Sequence, residues 1–111
     1  MASKRLSNYL RTFRKRSALS QADVAYLLGV PSSAKVCRYE RFARLPGLET
    51  ALACQAIFGR PVSDLFPGLF KEIEAKVCAR ARKMIAKKNG EKAGPSAARK
   101  RETITAIVNG Y

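Results

Sequence analysis

The spacing of apolar residues divides the first part of the chain into short helices. Tyr9, Leu10 and Phe13 follow Leu6 at intervals of three, one and three residues, which predicts a helix over residues 6–16 with one apolar stripe. The other faces of this predicted helix carry four basic residues: Arg11, Arg14, Lys15 and Arg16. The pattern therefore predicts an amphipathic first helix that packs on a core and exposes positive charge.

Residues 19–40 read as two short helices joined by a tight turn. Ser20 is a good N-cap, and Asp23 stands in the capping-box position three residues later. The apolar residues that follow at helical spacing are Val24, Leu27 and Leu28. Gly29 can adopt the positive φ that ends a helix at little cost. We therefore expect a helix that ends at this glycine and a second helix soon after it.

The second helix of this pair carries the candidate functional surface. We expect Ser33 as its N-cap, and Val36 and Tyr39 facing inward together because they are three residues apart. The outward positions are then Ala34, Lys35, Cys37 and Arg38. None of these is acidic, and small, polar and cationic side chains on a short helix suit the major groove of DNA.

Two more helices complete the predicted first domain. Residues 48–58 are almost wholly apolar, with the stripe Leu48, Leu52, Ala56 and Phe58, and end at Gly59. Residues 62–66 predict a short fifth helix with Ser63 as N-cap. The pair Pro67-Gly68 is a strong breaker and predicts a boundary after residues 1–67.

Residues 68–88 predict one amphipathic, basic helix. Its apolar stripe steps by three and four residues through Phe70, Ile73, Val77, Ala81 and Met84. This stripe could pack on the first domain or against a second copy of the chain, and a membrane surface is a third alternative. We favour dimerisation, with Phe70, Ile73, Val77 and Met84 as candidates, because short operator-reading proteins usually need two half-sites.

Residues 89–111 predict a flexible basic linker and a short tail. The segment 89–95 has linker composition. Residues 103–108 fit either one helical turn or a strand, and the cluster 99–101 adds three positive charges. At the other end of the chain, Lys4 and Arg5 could form a DNA-contacting arm or a frayed terminus.

The order of residues in the first two-thirds of the chain resembles the lambda-repressor/Cro-type (XRE-like) helix-turn-helix family of bacterial and phage regulators. The matching residues are Gln21, Ala25, Leu28-Gly29-Val30, Val36, Arg38-Tyr39-Glu40, Arg41, Arg44, Pro46, Leu48 to Leu52, Gly59 and Val62 to Phe66. Two features depart from the family: one extra residue between Val30 and Val36, and Phe42 where the family usually has glycine. The resemblance implies an all-α, five-helix DNA-binding domain.

The resemblance also implies roles for particular residues. Arg14 would form an ion pair with Glu40, which would tie the first helix to the end of the recognition helix, the second helix of the pair in residues 19–40. Gln21 would contact a phosphate at the start of the second helix. Arg41 and Arg44 would lie along the DNA backbone in the loop after the recognition helix.

The distribution of charge favours a polyanionic partner. The chain has a net charge of +14 in 111 residues. Residues 1–44 carry ten Lys and Arg against two acidic residues, and residues 67–111 carry eleven against four. The intervening segment is nearly neutral, with one basic and two acidic residues. Two basic blocks around a neutral core indicate nucleic acid more than a merely solvated surface.

The residues available for chemistry argue against catalysis and against a metal. The chain has no histidine, three widely spaced cysteines without a CxxC pair, and no Gly-rich phosphate loop. We therefore expect no enzyme activity, no cofactor, no zinc site and no disulfide framework. Free thiols fit a cytoplasmic location in a bacterial cell or its nucleoid, and the protein could be encoded by a phage. No apolar run is long enough to span a membrane.

The sequence thus predicts a sequence-specific transcriptional regulator, in the simplest case a repressor that binds a pseudo-palindromic operator in double-stranded DNA as a homodimer. The candidate base-contacting residues are Ser32, Ser33, Ala34, Lys35 and Arg38. Arg38 is the strongest candidate, because Arg can donate two hydrogen bonds to guanine. Two alternatives stay open: an antitoxin-type protein that binds a toxin through residues 69–111, and a basic protein that binds DNA or RNA without reading bases.

Overall fold

The computed structural model describes residues 7–87 and 94–110, and within these ranges the chain is all-helical. The described helices are α1 Leu10–Arg16, α2 Gln21–Leu28, α3 Ser33–Glu40, α4 Leu48–Phe58, α5 Val62–Leu65, α6 Pro67–Ala86 and α7 Pro95–Asn109. The chain divides into two compact units, residues 1–70 and 71–111. The expected all-α class is confirmed for the described residues.

The first unit is built on two small groups of buried residues. Leu10, Tyr39, Ala51, Cys54, Leu65 and Phe66 form the larger group, which joins α1, α3, α4 and α5. Val24, Ala25 and Val36 form the smaller group, which joins α2 to α3. Leu28 and Phe58 pack against both groups. The inward face of α3 therefore contacts both groups, through Tyr39 in the larger one and Val36 in the smaller one.

The start of α1 differs from the sequence prediction. The helix begins at Leu10 and not at residue 6, because the Asn8 carboxamide oxygen accepts a hydrogen bond from the Leu10 backbone N–H at 2.9 Å. Tyr9 is exposed and not part of a buried stripe. The predicted contributions of Lys4, Arg5 and Leu6 lie outside the described residues.

Two predicted apolar faces are wrong in detail. Leu27 was expected in the interior, but it is exposed, and Ala25 is buried instead. On α4 the buried residues are Ala51 and Cys54. Of the predicted stripe, Leu48, Leu52 and Ala56 lie on the solvent side, whereas Phe58 packs against both buried groups. Leu48 is 75% and Leu52 is 51% exposed. Small residues face the core because they allow α4 to approach its neighbours closely.

The observed helix caps agree with the sequence prediction at α2 and differ from it at α3 and α5. Ser20 and Asp23 form the predicted capping box: the Ser20 hydroxyl accepts from the Asp23 N–H, and the Asp23 carboxylate accepts from the Ser20 N–H, both at 2.9 Å. The N-cap of α3 is Ser32 and not Ser33. The N-cap of α5 is Pro61, so Ser63 lies within the helix.

The predicted break at Pro67-Gly68 is not a gap between helices. Pro67 begins α6, which a proline can do because the first helical N–H needs no intrahelical partner. The helix then runs without interruption to Ala86, and the units divide after Phe70, not after residue 67. The interior of the first unit includes Leu69, which packs against its larger buried group.

The end of the chain also differs from the prediction. Residues 95–109 form the helix α7, where we expected the end of a flexible linker and a short tail. For residues 103–108 the helical alternative is confirmed and the strand alternative is wrong. Ile104, Ile107 and Val108 are half-buried. The Cys78 thiol of α6 donates a hydrogen bond of 3.2 Å to the carbonyl of Ile107. Most of the predicted linker, residues 89–93, lies outside the described residues.

Three helices end in the same backbone arrangement, and two of them use a residue other than glycine. The residues in left-handed conformation are Ala18 (φ 58°), Gly29 (φ 74°) and Phe42 (φ 62°). After each of them the next residue donates its N–H five residues back, from Leu19 to Arg14, from Val30 to Ala25 and from Ala43 to Arg38. This is the Schellman motif, in which glycine avoids the steric cost that a Cβ carries.

Replacing Ala18 by glycine should therefore stabilise the protein. An L-residue in the left-handed region costs about 1–2 kcal/mol. Glycine removes this cost but gives the unfolded chain more conformational entropy, which offsets about 0.4–1 kcal/mol of the gain. Ala18 is exposed and its side chain adds no buried surface. We expect the free energy of unfolding to rise by about 0.5–1 kcal/mol, measured by urea denaturation.

The matched control is Ala56→Gly, on the exposed side of α4. Glycine there should lower the free energy of unfolding by about 0.5–1 kcal/mol, since the residue is in ordinary helical conformation. Equal destabilisation by both substitutions would contradict the strain at Ala18.

Candidate nucleic-acid interface

The outer surface of α3 is available because the opposite side of the helix is anchored. Val36 is 2% and Tyr39 is 5% exposed, as the sequence predicted. Burial of these two side chains fixes the rotation of α3 about its own axis. Ala34 and Arg38 are each two positions from Val36, about 160° around the helix axis, and both are exposed.

A network around Glu40 fixes the C-terminal end of α3. The Arg14 guanidinium donates from Nε to Glu40 Oε2 at 2.5 Å and from Nη2 to Glu40 Oε1 at 3.0 Å. Its remaining nitrogen, Nη1, donates to the carbonyl of Leu19 at 3.0 Å. The structure thus brings Arg14 and Glu40 together, and the carboxylate hydrogen bond raises the pKa of Arg14.

The ion pair is largely shielded from solvent. The Arg14 and Glu40 side chains are 12% and 3% exposed. Removing either charge would leave the other one buried and unpaired, which costs more free energy than the pair itself. The pair therefore links α1 to the end of α3 with a planar, two-pronged geometry that tolerates little displacement.

Gln21 joins the same network. Its Nε2 donates to Glu40 Oε1 at 3.1 Å, so the residue predicted to contact phosphate has its amide nitrogen directed into the protein. Its side chain is half-buried. Because the Gln21 amide nitrogen carries two hydrogens, the bond to Glu40 uses only one of them, and the phosphate contact stays a prediction.

Asn8 is a residue that the sequence prediction missed. Its carboxamide nitrogen donates to the Tyr39 carbonyl at 3.1 Å, while its oxygen accepts from Leu10. One side chain thus connects the start of α1 with the last turn of α3. An Asn shortly before an apolar helix is a cap signal, but nothing in the local sequence identifies its partner 31 residues away.

The residues predicted to read bases are placed on and beside the first turns of α3. Ser32, Ala34 and Arg38 are exposed, whereas Ser33 and Lys35 are half-buried. Cys37 is a half-buried free thiol on the same helix. Ala34 and Arg38 are four residues apart, so they lie on one face, and this face leaves room for a long cationic side chain beside a small one.

Positive charge continues from α3 into the loop that follows. Arg41 and Arg44 are both exposed. The loop is held against the helix by two backbone hydrogen bonds, from Ala43 and Arg44 to the Arg38 carbonyl, at 2.9 and 3.3 Å. Phe42, between the two arginines, is half-buried in its left-handed conformation. The loop therefore has a defined path that positions two arginines after the end of α3.

The electrostatic character of this surface is simple. Between Asp23 and Glu49 the only acidic residue is Glu40, and its carboxylate is engaged by Arg14. Lys35, Arg38, Arg41 and Arg44 therefore lie in a segment without an exposed carboxylate. Such a surface attracts anions. Asp23, the acidic residue upstream of this segment, has a pKa lowered by its hydrogen bonds with Ser20.

The predicted dimerisation candidates lie on α6 and are open to solvent. Phe70, Ile73, Val77 and Met84 are each between 43% and 50% exposed, whereas Ala81 is buried. Leu48 and Leu52, which the sequence analysis placed on the apolar stripe of α4, are also exposed, and so is Leu45 in the loop before that helix. Both sets of side chains leave apolar surface open to solvent.

Other kinds of site are scarce in the described residues. No group of three or more His, Cys, Asp and Glu side chains in the ranges 7–87 and 94–110 could hold a metal ion. Burial raises the pKa of the Cys54 thiol to about 11, which keeps this group protonated and unreactive at neutral pH. No helix within the described part of the chain is both long and apolar enough to cross a membrane.

Comparison with known proteins gives no match: no protein-family model, no curated protein and no solved structure is significantly similar to the chain. The interface is therefore defined by its own geometry, an anchored short helix with an uncovered cationic face and a basic loop after it.

The network around Glu40 makes a sharp prediction about stability. Arg14→Ala should lower the free energy of unfolding by about 3–5 kcal/mol, because the Glu40 carboxylate stays buried without its partner. Arg11→Ala, an exposed position in the same helix, should change it by less than about 0.5 kcal/mol. Urea denaturation followed by circular dichroism measures both.

A double variant separates the stranded charge from lost packing. Arg14→Met combined with Glu40→Met should recover most of the stability lost in Arg14→Ala, since a buried pair can be replaced by apolar side chains at little cost. A double variant as unstable as Arg14→Ala would show that packing and not charge dominates.

Proposed function

We propose that the protein is a sequence-specific DNA-binding transcriptional regulator whose first unit is a helix-turn-helix domain of the lambda-repressor type. The observation that carries this proposal is the exposed face of α3, on which Ala34 and Arg38 project from a helix anchored by Val36 and Tyr39. Its dimensions suit the major groove, which admits one α-helix.

In this proposal base reading and backbone contact fall on different residues. Arg38 donates two hydrogen bonds to O6 and N7 of a guanine, and Ser32, Ser33, Ala34 and Lys35 complete the reading surface. Arg41, Arg44 and Gln21 hold phosphates and set the register of α3 in the groove. The loop that carries Arg41 and Arg44 is hydrogen-bonded to the Arg38 carbonyl, which holds these two phosphate-contacting residues close to the end of α3.

The proposed protein acts as a homodimer in a bacterial cytoplasm, and occupation of the operator by the dimer represses transcription sterically. Phe70, Ile73, Val77 and Met84 form the dimer contact, and two copies then read two half-sites of a pseudo-palindrome. The support for this assignment is that the four side chains are 43–50% exposed on one helix, which leaves apolar surface to be covered.

The exposed stripe on α6 also supports the antitoxin alternative, in which a toxin covers the same four residues and the protein autoregulates its operon. The two proposals differ in the identity of the partner and not in how α3 binds DNA. Measurement of the mass of the purified protein in solution distinguishes them, because only the homodimer forms without a second polypeptide.

Selection of bound sequences from a random DNA pool tests the reading surface. Arg38→Ala should relax the preference at one base position and cost about 1–3 kcal/mol on the selected site. Arg44→Ala should weaken binding to selected and scrambled DNA by similar factors, since it removes a backbone contact. Both side chains are exposed, so neither change should alter folding.

If wild-type protein enriches no motif, base reading is excluded and the protein binds nucleic acid without specificity. If Arg38→Ala enriches the wild-type motif unchanged, Arg38 does not read a base. These two results separate failure of the function from failure of one residue assignment.

The dimer contact is tested by placing a carboxylate in the stripe. Val77→Asp should shift the protein from dimer to monomer in sedimentation equilibrium, because a dimer would have to bury the charge. The same variant should lose affinity for the two-half-site operator but keep its circular dichroism spectrum, since Val77 is not buried in the isolated chain.

Leu52→Asp is the matched control on the other exposed apolar face, that of α4. It should leave the dimer intact. A dimer that persists in Val77→Asp but dissociates in Leu52→Asp would move the contact from α6 to α4.

A further inference from the structure

The second unit carries a strong positive charge that the reading surface on α3 does not use. Its described residues, 71–87 and 94–110, include nine Lys and Arg against three Glu. Five cations lie on α6, and Lys87 follows its end with its N–H still bonded to the Lys83 carbonyl. All six are exposed: Lys71, Lys76, Arg80, Arg82, Lys83 and Lys87. Their arrangement on the helix, and not their number alone, carries an inference.

Four of these six cations form one narrow stripe. Lys76, Arg80, Lys83 and Lys87 are separated by four, three and four residues, which places them within about 60° of arc at 3.6 residues per turn. The stripe is about 16 Å long at 1.5 Å per residue. Lys76 also lies 3.6 Å from Glu72, one turn before it. The two central members, Arg80 and Lys83, have no acidic residue three or four positions away.

The positive surface continues from α6 onto α7. A groove of about 350 Å³ is lined by Lys87, just after α6, and by Lys100 and Arg101 of α7. Its other lining residues are Met84, Ile85, Ile104 and Thr105, and none is acidic. The packing of the two helices, with Ala81 buried, thus brings cations that are 13 residues or more apart in sequence to one place.

We propose that this cationic stripe, Lys76, Arg80, Lys83 and Lys87 with Lys100 and Arg101 beside it, is a second nucleic-acid site that binds the phosphate backbone without regard to base sequence. The stripe is complementary to a polyanion with closely spaced charges, and a duplex presents one negative charge per about 1.7 Å of its axis. A row of Lys and Arg side chains supplies charge for phosphate oxygens, and phosphate contacts carry no base-sequence information. The site rests on the second unit alone and does not require α3 to read bases.

The neighbouring apolar stripe does not favour a membrane instead. Phe70, Ile73, Val77 and Met84 occupy an arc of about 60° at 100° per residue, narrower than the face of at least about 100° that is typical of an amphipathic helix on an apolar surface. The exposed Ile85 lies beyond this arc and lines the groove beside α7. The stripe also has no Trp. A phosphate backbone needs only the cationic stripe, whereas a lipid surface would need a wide apolar face beside it.

The test compares two double variants of α6 in the full-length protein. Arg80→Gln with Lys83→Gln removes two charges from the stripe. Lys71→Gln with Arg82→Gln removes two exposed charges from the same helix about 100° or more away around its axis. Both double variants lower the net charge by two, so any difference in their binding reports the position of the charges on the helix. Fluorescence anisotropy with a scrambled-sequence DNA duplex and a duplex RNA of equal length measures binding between 50 and 300 mM salt.

We expect the stripe variant to reduce the slope of log affinity against log salt by about 1.8 on DNA, at 0.9 per lost phosphate contact, and to weaken binding at 100 mM salt at least about tenfold. The off-stripe variant should stay within about twofold of wild type. A parallel loss on the RNA duplex identifies the phosphate chain itself as the ligand, and a loss on DNA alone identifies the DNA backbone.

Equal losses in both variants would reduce the effect to net charge and overturn the proposal. Wild-type affinity in the stripe variant would do the same. Binding to vesicles of anionic phospholipid that is lost in the stripe variant, with duplex binding unchanged, would assign the stripe to a lipid surface. Because scrambled DNA contains no operator, these outcomes do not depend on whether Arg38 reads a base.

Discussion

The ion pair between Arg14 and Glu40 is the interaction on which the arrangement of the first unit depends. Its two hydrogen bonds join α1 to the last residue of α3, and the third guanidinium nitrogen reaches the Leu19 carbonyl just before α2. Three helices thus meet at one side chain. A buried pair of this kind adds little net stability compared with apolar packing, but it penalises every arrangement in which the two charges separate. Its contribution is therefore to orientation, and the orientation of α3 decides what its outer face can contact.

Backbone strain accompanies this orientation. Ala18 and Phe42 adopt the left-handed conformation at the ends of α1 and α3, where a glycine would fit without a steric cost. At Phe42 the half-buried ring offsets part of that cost through packing, which glycine could not supply. The strained residue lies between Arg41 and Arg44, so the same turn that ends α3 also fixes where the two arginines leave the helix.

Charge is divided between the two units in a way that suits two kinds of contact. In the first unit, cations surround a short anchored helix that presents small and polar side chains, an arrangement suited to reading a groove. In the second unit, cations line one side of a long helix and the groove beside α7, an arrangement suited to a phosphate backbone. The acidic residues that would neutralise either surface are few, and Glu40 is withdrawn into the interior.

The sequence by itself determined the local structure of the chain. The capping box at Ser20, the left-handed Gly29, the inward pair Val36 and Tyr39, and the long helix beginning near residue 68 all follow from signals within a few residues, because caps and helical periodicity are local. The resemblance of the first two-thirds of the chain to known regulators further pointed to Arg14 and Glu40 as partners.

Only the tertiary structure decided which apolar residues are buried. Leu27, Leu48 and Leu52 are as hydrophobic as any core residue, yet Ala25, Ala51 and Cys54 occupy the interior because small side chains let the helices approach. The link from Asn8 to Tyr39 and the meeting of Lys87 with Lys100 and Arg101 were equally hidden. Residue type and spacing say that a helix has an apolar or a cationic face. They do not say which neighbouring helix covers it, because that depends on contacts between residues far apart in the chain.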